Sequence, residues 1–229
     1  MIKRETRKLV EGNLRFQSAV FEPQRESFEE LLSGQAPRAL YVGCSDSRVV
    51  AEMILDVVPG ELFVVRNIGA IVPHAEDPSA TSLGAALDYA INVLGVPDIV
   101  VCGHDLCGAL GAIVEGTAPR GSHLERWLRK GSTEVEGFDL LDHTEEMTRE
   151  QLVERFIATQ LKTLTEYETV RLGLEAGRLG LHGAVYDPRS GRLRVAMPGS
   201  HTFIELKSPE QRSTLLPVVA RTDAVSGAE

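Results

Sequence analysis

Ala39-Leu-Tyr-Val-Gly-Cys-Ser-Asp-Ser-Arg48 is the most informative segment for the predicted fold, because an apolar run is followed at once by reactive side chains. Residues 39–43 have the length and composition of a buried strand. A second run of this kind, 99–103, is followed by His104-Asp-Leu-Cys107. Parallel strands bring their carboxyl ends to one edge of a sheet, where α/β proteins build their sites. We therefore expect the two clusters to meet at one edge.

The cysteines and the histidine of these clusters form a donor set suited to a transition metal. Cys44, His104 and Cys107 supply two thiolates and one imidazole, a three-ligand form of catalytic zinc site that leaves one position open. Cysteine is also commonly a small buried hydrophobe, and Cys102, inside the second apolar run, is predicted to be one. The sequence therefore predicts a Zn²⁺ site at Cys44, His104 and Cys107.

Asp46 and Arg48 follow Cys44 at a spacing that allows a bidentate ion pair beside the metal. We predict that both are catalytic. Paired with Arg48, Asp46 would accept the hydrogen of zinc-bound hydroxide and direct its lone pair at a small electrophilic carbon. Released from Arg48, Asp46 would become a fourth zinc ligand in a closed state. The alternative is a structural pair that only locks the turn.

The rest of the pattern alternates strand and helix, which predicts an α/β fold with a central, mostly parallel β-sheet flanked by helices. The predicted strands cover residues 39–43, 62–66 and 98–103, followed by a hairpin of 181–187 and 193–197 around a four-residue turn. The predicted helices cover residues 3–19, 48–55, 79–94, 108–114 and 150–176, with another that starts at Pro23.

The chain divides into three predicted segments. Residues 1–36 form a helical arm with a thin apolar stripe, expected to pack on a partner subunit or to cap its own domain. Residues 37–207 form the zinc-binding α/β domain, and residues 208–229 form a polar tail.

Composition excludes several classes of partner. Of the 229 residues, 43% are hydrophobic and 25% charged, as in ordinary soluble proteins, and the net charge is −9. An acidic chain is a poor ligand for nucleic acid or for an anionic membrane. No apolar run is long enough to span a bilayer, and the charged start lacks the apolar region of a secretion signal. Three cysteines, two of them assigned to metal, suit the reducing cytoplasm.

Between about residues 39 and 195, the chain resembles the β-class carbonic anhydrases. The resemblance rests on Tyr41-Val-Gly-Cys-Ser-Asp-Ser-Arg-Val49, Glu61-Leu-Phe-Val-Val-Arg-Asn67, Ser82-Leu-Gly-Ala-Ala-Leu-Asp-Tyr-Ala90, Val100-Val-Cys-Gly-His-Asp-Leu-Cys-Gly108 and Leu181-His-Gly-Ala-Val-Tyr-Asp187. It implies reversible, zinc-dependent hydration of carbon dioxide to bicarbonate and a proton. It also implies a homodimer or homotetramer with exchanged N-terminal helices.

Carried over position by position, the resemblance assigns the same zinc ligands and the same Asp46–Arg48 pair. It also implies a substrate pocket that includes Gly108, Gln160 and Tyr186. The family usually has serine where Asp105 stands, and an acid beside a zinc ligand would affect proton transfer or metal affinity.

Two other functions are compatible with the same residues. One is hydrolysis of carbonyl sulfide or carbon disulfide on the same zinc site. The other is a zinc-stabilised assembly protein without turnover, although a purely structural zinc would need neither Asp46 nor Arg48. Phosphate or dinucleotide binding is not supported, because no glycine-rich phosphate motif follows any predicted strand.

Overall fold

A computed structural model describes residues 4–131, 147–197, 202–205 and 207. Its strands form one six-stranded sheet in the order β2-β1-β3-β4-β5-β6. The strands are β1 (Ala39–Cys44), β2 (Leu62–Asn67), β3 (Asp98–His104), β4 (Gly180–Asp187), β5 (Arg192–Ala196) and β6 (Phe203–Glu205).

The first four strands are parallel and the last two are antiparallel, which confirms the predicted, mostly parallel sheet. β1 and β3 are neighbours, and Gly43 lies opposite Cys102 in the register. Both strands therefore end at the same edge of the sheet. The predicted hairpin is also confirmed, since four residues separate β4 from β5.

Eight α-helices are assigned within the described ranges, several of them extended by π or 3₁₀ turns. They are α1 (Arg4–Phe16), α2 (Arg25–Glu30), α3 (Ala51–Leu55), α4 (Thr81–Asp88), α5 (Gly108–Glu115), α6 (His123–Gly131), α7 (Arg149–Leu164) and α8 (Glu168–Glu175). In the described part of the chain, no helix combines the length and the apolar character needed to cross a membrane.

The main hydrophobic core lies between one face of the sheet and helices α4 to α8. Fully burying a side chain such as Leu or Ile contributes about 1.5–3 kcal/mol, so this face anchors the domain. The strands contribute Leu40, Val42, Ile99, Val101 and Val185, and the helices contribute Leu83, Leu87, Leu110, Leu128, Phe156, Ile157, Leu164 and Val170.

The opposite face of the sheet is less completely covered. Tyr41, Ala51, Cys102 and Ala184 form a small buried cluster there, and Ala51 belongs to the short helix α3. The burial of Cys102 agrees with its predicted structural role. Around this cluster the apolar side chains are only half-buried: Leu62, Val64, Val100, Tyr186, Leu193 and Val195.

The prediction of one helix over residues 150–176 is wrong, because α7 and α8 are separate helices. Tyr167 has an extended backbone conformation, and its hydroxyl donates to the carbonyl oxygen of Pro73 over 2.8 Å. This tertiary contact breaks the helix at a place where no proline or glycine marks a break.

The predicted helix over residues 48–55 begins three residues late, at Ala51. The backbone N–H of Arg48 donates to the Asp46 carboxylate over 2.9 Å, so this part of the chain is a turn. The three-residue strand β6 was not predicted.

The N-terminal arm is helical as predicted, and its two helices fold against each other through aromatic side chains. The rings of Phe16, Phe21 and Phe28 pack with centroids 5.0–6.3 Å apart. Leu14 and Leu32 remain 64% and 85% exposed. The tail predicted for residues 208–229 lies outside the described residues.

Candidate metal centre

The predicted metal ligands meet at the carboxyl edge of the parallel strands. Cys44 is the last residue of β1, His104 is the last residue of β3, and Cys107 directly precedes α5. One ligand atom from each residue lies within 4.8 Å of the other two. This confirms the expectation that the two sequence clusters converge.

His104 presents a ring nitrogen to this cluster. Its side chain is almost fully buried, and Nδ1 lies 2.9 Å from the carbonyl oxygen of Asp105, which fixes the ring proton on Nδ1. Within the described residues, Nε2 is buried and has no hydrogen-bond partner. Buried polar atoms normally have a partner, so this lone pair is suited to bind a cation.

The charges around the cluster favour a cation. The Cys107 thiol donates to Cys44 and lowers the pKa of Cys44, and the backbone N–H groups of Asp46 and Gly69 add to this effect. The pKa of Cys107 is raised, because it holds the proton that the two sulfurs share. Burial opposes protonation of His104, but the direct approach of the Cys44 side chain, then its charge and the carbonyl oxygen of Asp105, outweigh burial and raise the pKa of His104.

These residues fit a zinc ion. Two thiolates and an imidazole are ligands that zinc prefers, and three protein ligands leave one position for a reacting group. The carbonyl group of Asp105 also orients the His104 ring through Nδ1, the nitrogen that does not face the cluster, and this is a common feature of metal-binding histidines.

Asp46 and Arg48 form the predicted bidentate pair next to the ligands. Arg48 donates from Nε to Oδ1 of Asp46 over 2.9 Å and from Nη2 to Oδ2 over 2.7 Å. Side-chain donation by Arg48, with its backbone N–H, holds the pKa of Asp46 well below its usual range. The carboxylate is therefore ionised at neutral pH, and its Oδ2 lies 3.9 Å from Nε2 of His104.

Two further features hold the ligand loops in place, and sequence reasoning did not assign either of them. Arg66, on β2, donates from Nε to the carbonyl oxygen of Cys44 over 2.9 Å and from Nη2 to that of Asp46 over 2.8 Å. Arg48 donates from Nη2 to the carbonyl oxygen of Leu106 over 3.1 Å. An arginine at the end of β2, the strand next to β1, was the only available sequence feature.

The three residues predicted for the substrate pocket lie in different settings. Gly108 is exposed directly after Cys107, and a Cβ there would meet no heavy atom within 4 Å among the described residues. Gln160 is buried in α7 and accepts from the backbone N–H of Val72 over 2.8 Å. Tyr186 is half-buried on the less covered face of the sheet.

A Cys₂His cluster at the carboxyl edge of a parallel sheet, next to an ionised Asp–Arg pair, defines a zinc-dependent α/β enzyme. The carbonic anhydrase family matches residues 39–193 of this chain. The chain belongs to this family and, by its structural neighbours, to the β class. Reversible hydration of carbon dioxide is the reaction of the family, and zinc is its cofactor.

Two bacterial carbonic anhydrases are similar in sequence to this chain over most of its length. The carbonic anhydrase of Pseudomonas aeruginosa is 40% identical over 210 residues, which cover 90% of this chain and 95% of the relative. Carbonic anhydrase 1 of Escherichia coli O157:H7 is 36% identical, with coverage of 87% and 92%.

Two solved structures of β-carbonic anhydrases have a similar fold. The β-carbonic anhydrase CcaA matches with a TM-score of 0.79 and 32% identity, covering 90% of this chain and 94% of that one. A structure described as one of two tetrameric β-carbonic anhydrases from Sordaria macrospora matches with a TM-score of 0.74 and 28% identity, covering 86% and 98%.

Proposed function

We propose that this chain hydrates carbon dioxide reversibly at a zinc ion held by Cys44, His104 and Cys107, with Asp46 and Arg48 as catalytic residues. The observation that carries the proposal is the buried, unpartnered Nε2 of His104, among the described residues, within reach of two thiols. Zinc bound there supplies Lewis acidity, which makes water nucleophilic near neutral pH and stabilises negative charge on oxygen.

Asp46 supplies a charged hydrogen-bond acceptor beside the zinc site. Its Oδ1 takes two of the Arg48 donors, and its Oδ2 faces Nε2 of His104 at 3.9 Å while it accepts from Nη2 of Arg48. Arg48 thereby fixes the carboxylate and keeps it ionised. The fourth-ligand state of Asp46 requires this pair to break, because all three donors hold the carboxylate in its present position.

The substrate pocket is proposed to include Gly108, Gln160 and Tyr186. Gly108 contributes open space next to Cys107, which suits a small linear molecule. Gln160 holds the 71–73 segment through Val72, so its contribution is to shape the wall. Strand β2 and helix α7, which carries Gln160, are proposed to supply the narrow apolar wall of the pocket in a neighbouring subunit.

We propose that the protein is a homodimer or homotetramer in the cytoplasm. The apolar side chains exposed on the arm and the half-covered face of the sheet are both surfaces that association would bury. The tetrameric Sordaria macrospora structure supports this proposal by similarity. The three cysteines are free, as in proteins of a reducing compartment.

The arm is tested by changing its apolar surface. Leu14→Asp should shift the full chain to a smaller species in light scattering after size exclusion. Lys8→Asp, an exposed position that points about 120° away from Leu14 around the same helix, should leave the mass unchanged. An unchanged mass for Leu14→Asp would show that the arm caps its own subunit.

Stopped-flow hydration of carbon dioxide by the zinc-loaded chain tests the activity. We expect turnover that is lost when zinc is removed and restored when zinc is returned. Carbonyl sulfide and carbon disulfide are supplied in parallel: faster release of sulfide than hydration of carbon dioxide would reassign the substrate. Zinc binding without any turnover would instead support the alternative of a zinc-stabilised assembly protein.

A further inference from the structure

Asp105 is a buried acid directly after the metal ligand His104. It is 3% exposed, and its carboxylate accepts three hydrogen bonds from two arginines. Arg194, on β5, donates from Nη1 to Oδ2 over 3.0 Å and from Nη2 to Oδ1 over 2.9 Å. Arg189, in the turn between β4 and β5, donates to Oδ2 over 3.2 Å. Both oxygens of Asp105 are therefore held by guanidinium groups.

The two arginines are themselves fixed by acids on α7 and β4. Arg194 donates from Nε to Glu154 over 2.6 Å. Arg189 donates to Glu150 over 3.1 Å and to Asp187 over 2.9 Å. This network ties the loop after β3 to a helix, a strand and a turn that are distant in sequence.

The backbone of Asp105 connects this network to the metal ligands. Its N–H donates to the carbonyl oxygen of Tyr186 over 2.9 Å, and its carbonyl oxygen accepts from Nδ1 of His104 over 2.9 Å. The next residue, Leu106, has a φ of 60°, a left-handed conformation that is unfavourable for leucine. A loop with this geometry must be held by its surroundings: Arg48 contacts the carbonyl oxygen of Leu106, and Arg194 and Arg189 hold the side chain of Asp105.

A contribution to folding stability is not enough to explain the buried carboxylate of Asp105 and its arginine partners. The desolvation of the buried Asp105 carboxylate offsets much of its attraction to the partly buried Arg194 and the exposed Arg189. The ion pair of Asp105 with Arg194 instead fixes the position of the Asp105 carbonyl group, which orients the His104 ring.

We propose that Asp105 is a positioning residue of the metal centre. Its carboxylate, held by Arg194 and Arg189, fixes the peptide that orients His104 and the loop that carries Cys107. The inference deepens the proposed function and rests on zinc binding at this site. Groups that orient metal ligands in this way typically change metal affinity by about 10- to 100-fold when they are altered.

Asp105→Asn in the full chain tests the proposal, because asparagine keeps the size of the side chain and removes its charge. Zn²⁺ affinity is measured by competition with a chelator, and Co²⁺ is then substituted and its visible absorption spectrum recorded. We expect Zn²⁺ to bind about 10- to 100-fold more weakly and the Co²⁺ bands to change. Arg192→Gln is the matched control, since Arg192 lies on the same strand but pairs with Glu205. It should leave both readouts at wild-type values.

Arg189→Gln keeps the proposal testable if Asp105→Asn does not fold. Arg189 is 52% exposed and supplies only one of the three donors, so a smaller loss of Zn²⁺ affinity in the same direction is expected. Wild-type affinity and spectrum in every folded variant would overturn the inference while leaving zinc binding intact. Failure of the wild-type chain to bind Zn²⁺ would instead overturn the proposed function.

Discussion

Gly103 immediately precedes His104 on β3, and α7 packs directly against its α-carbon. A Cβ added at Gly103 would lie 2.7 Å from Cγ1 and 2.8 Å from Cδ1 of Ile157, and 3.3 Å from Cγ1 of Val153. Carbon atoms are at their optimal separation at about 3.5–4.0 Å, so strand and helix would have to separate by roughly 0.8 Å. We expect Gly103→Ala to lower the free energy of unfolding by about 1–3 kcal/mol, the range for overpacked cores.

Urea unfolding of the metal-free protein, followed by circular dichroism, measures this loss. Gly111→Ala is the matched control, because a Cβ at Gly111 of α5 meets no heavy atom of the described residues within 4 Å. In a helix, that change should be neutral or stabilise by about 0.5–1 kcal/mol. If Gly103→Ala is as stable as the wild type, the close packing of α7 on β3 is not as described.

A double variant shows whether the loss comes from the predicted contact. Ile157→Ala alone should cost about 2–5 kcal/mol, because Ile157 is fully buried. In the Gly103→Ala background the same change should cost less, since it also removes both atoms that crowd the new methyl group. Additive losses would contradict this explanation.

Three other substitutions test the catalytic pair, a surface ion pair and a helix cap. Asp46→Asn should keep zinc and fold but slow hydration about 10²-fold, because the amide loses the charge pair with Arg48 and with it a fixed acceptor beside the metal; a wild-type rate in stopped flow would remove its catalytic role. Asp77 has a pKa lowered from 3.8 to about 2, chiefly by donation from Lys130, so its contribution to stability is present above its unfolded pKa and is lost as pH falls toward 2. The stability gap between wild type and Asp77→Asn should therefore narrow over that interval in urea titrations; a constant gap would contradict it. Thr148→Ala removes the reciprocal cap with Gln151 at the start of α7 and should cost about 0.5–2 kcal/mol, whereas Thr148→Ser should cost little; equal losses would argue against the cap.

The strands and the metal ligands could be predicted because the information is local. The runs 39–43 and 99–103 are short, apolar and bounded by polar clusters, and parallel pairing brings their ends together. Two cysteines and a histidine at those ends leave few chemical interpretations. The pairing of Asp46 with Arg48 was predictable for the same reason.

What could not be predicted depends on contacts between residues far apart in the sequence. Arg66 reaches the carbonyl groups of Cys44 and Asp46 only because β2 pairs with β1. Arg194 meets Asp105 across 89 residues of chain. The break between α7 and α8 depends on the contact of Tyr167 with Pro73, which no local pattern reports.

X-ray absorption at the zinc edge of the zinc-loaded full chain measures directly whether Cys44, His104 and Cys107 hold the metal. We expect one zinc per chain, with two sulfurs and an imidazole nitrogen among its ligands, and the loss of one sulfur in Cys44→Ser. A zinc ion surrounded only by nitrogen and oxygen, or an active, folded chain that contains no zinc, would contradict this expectation.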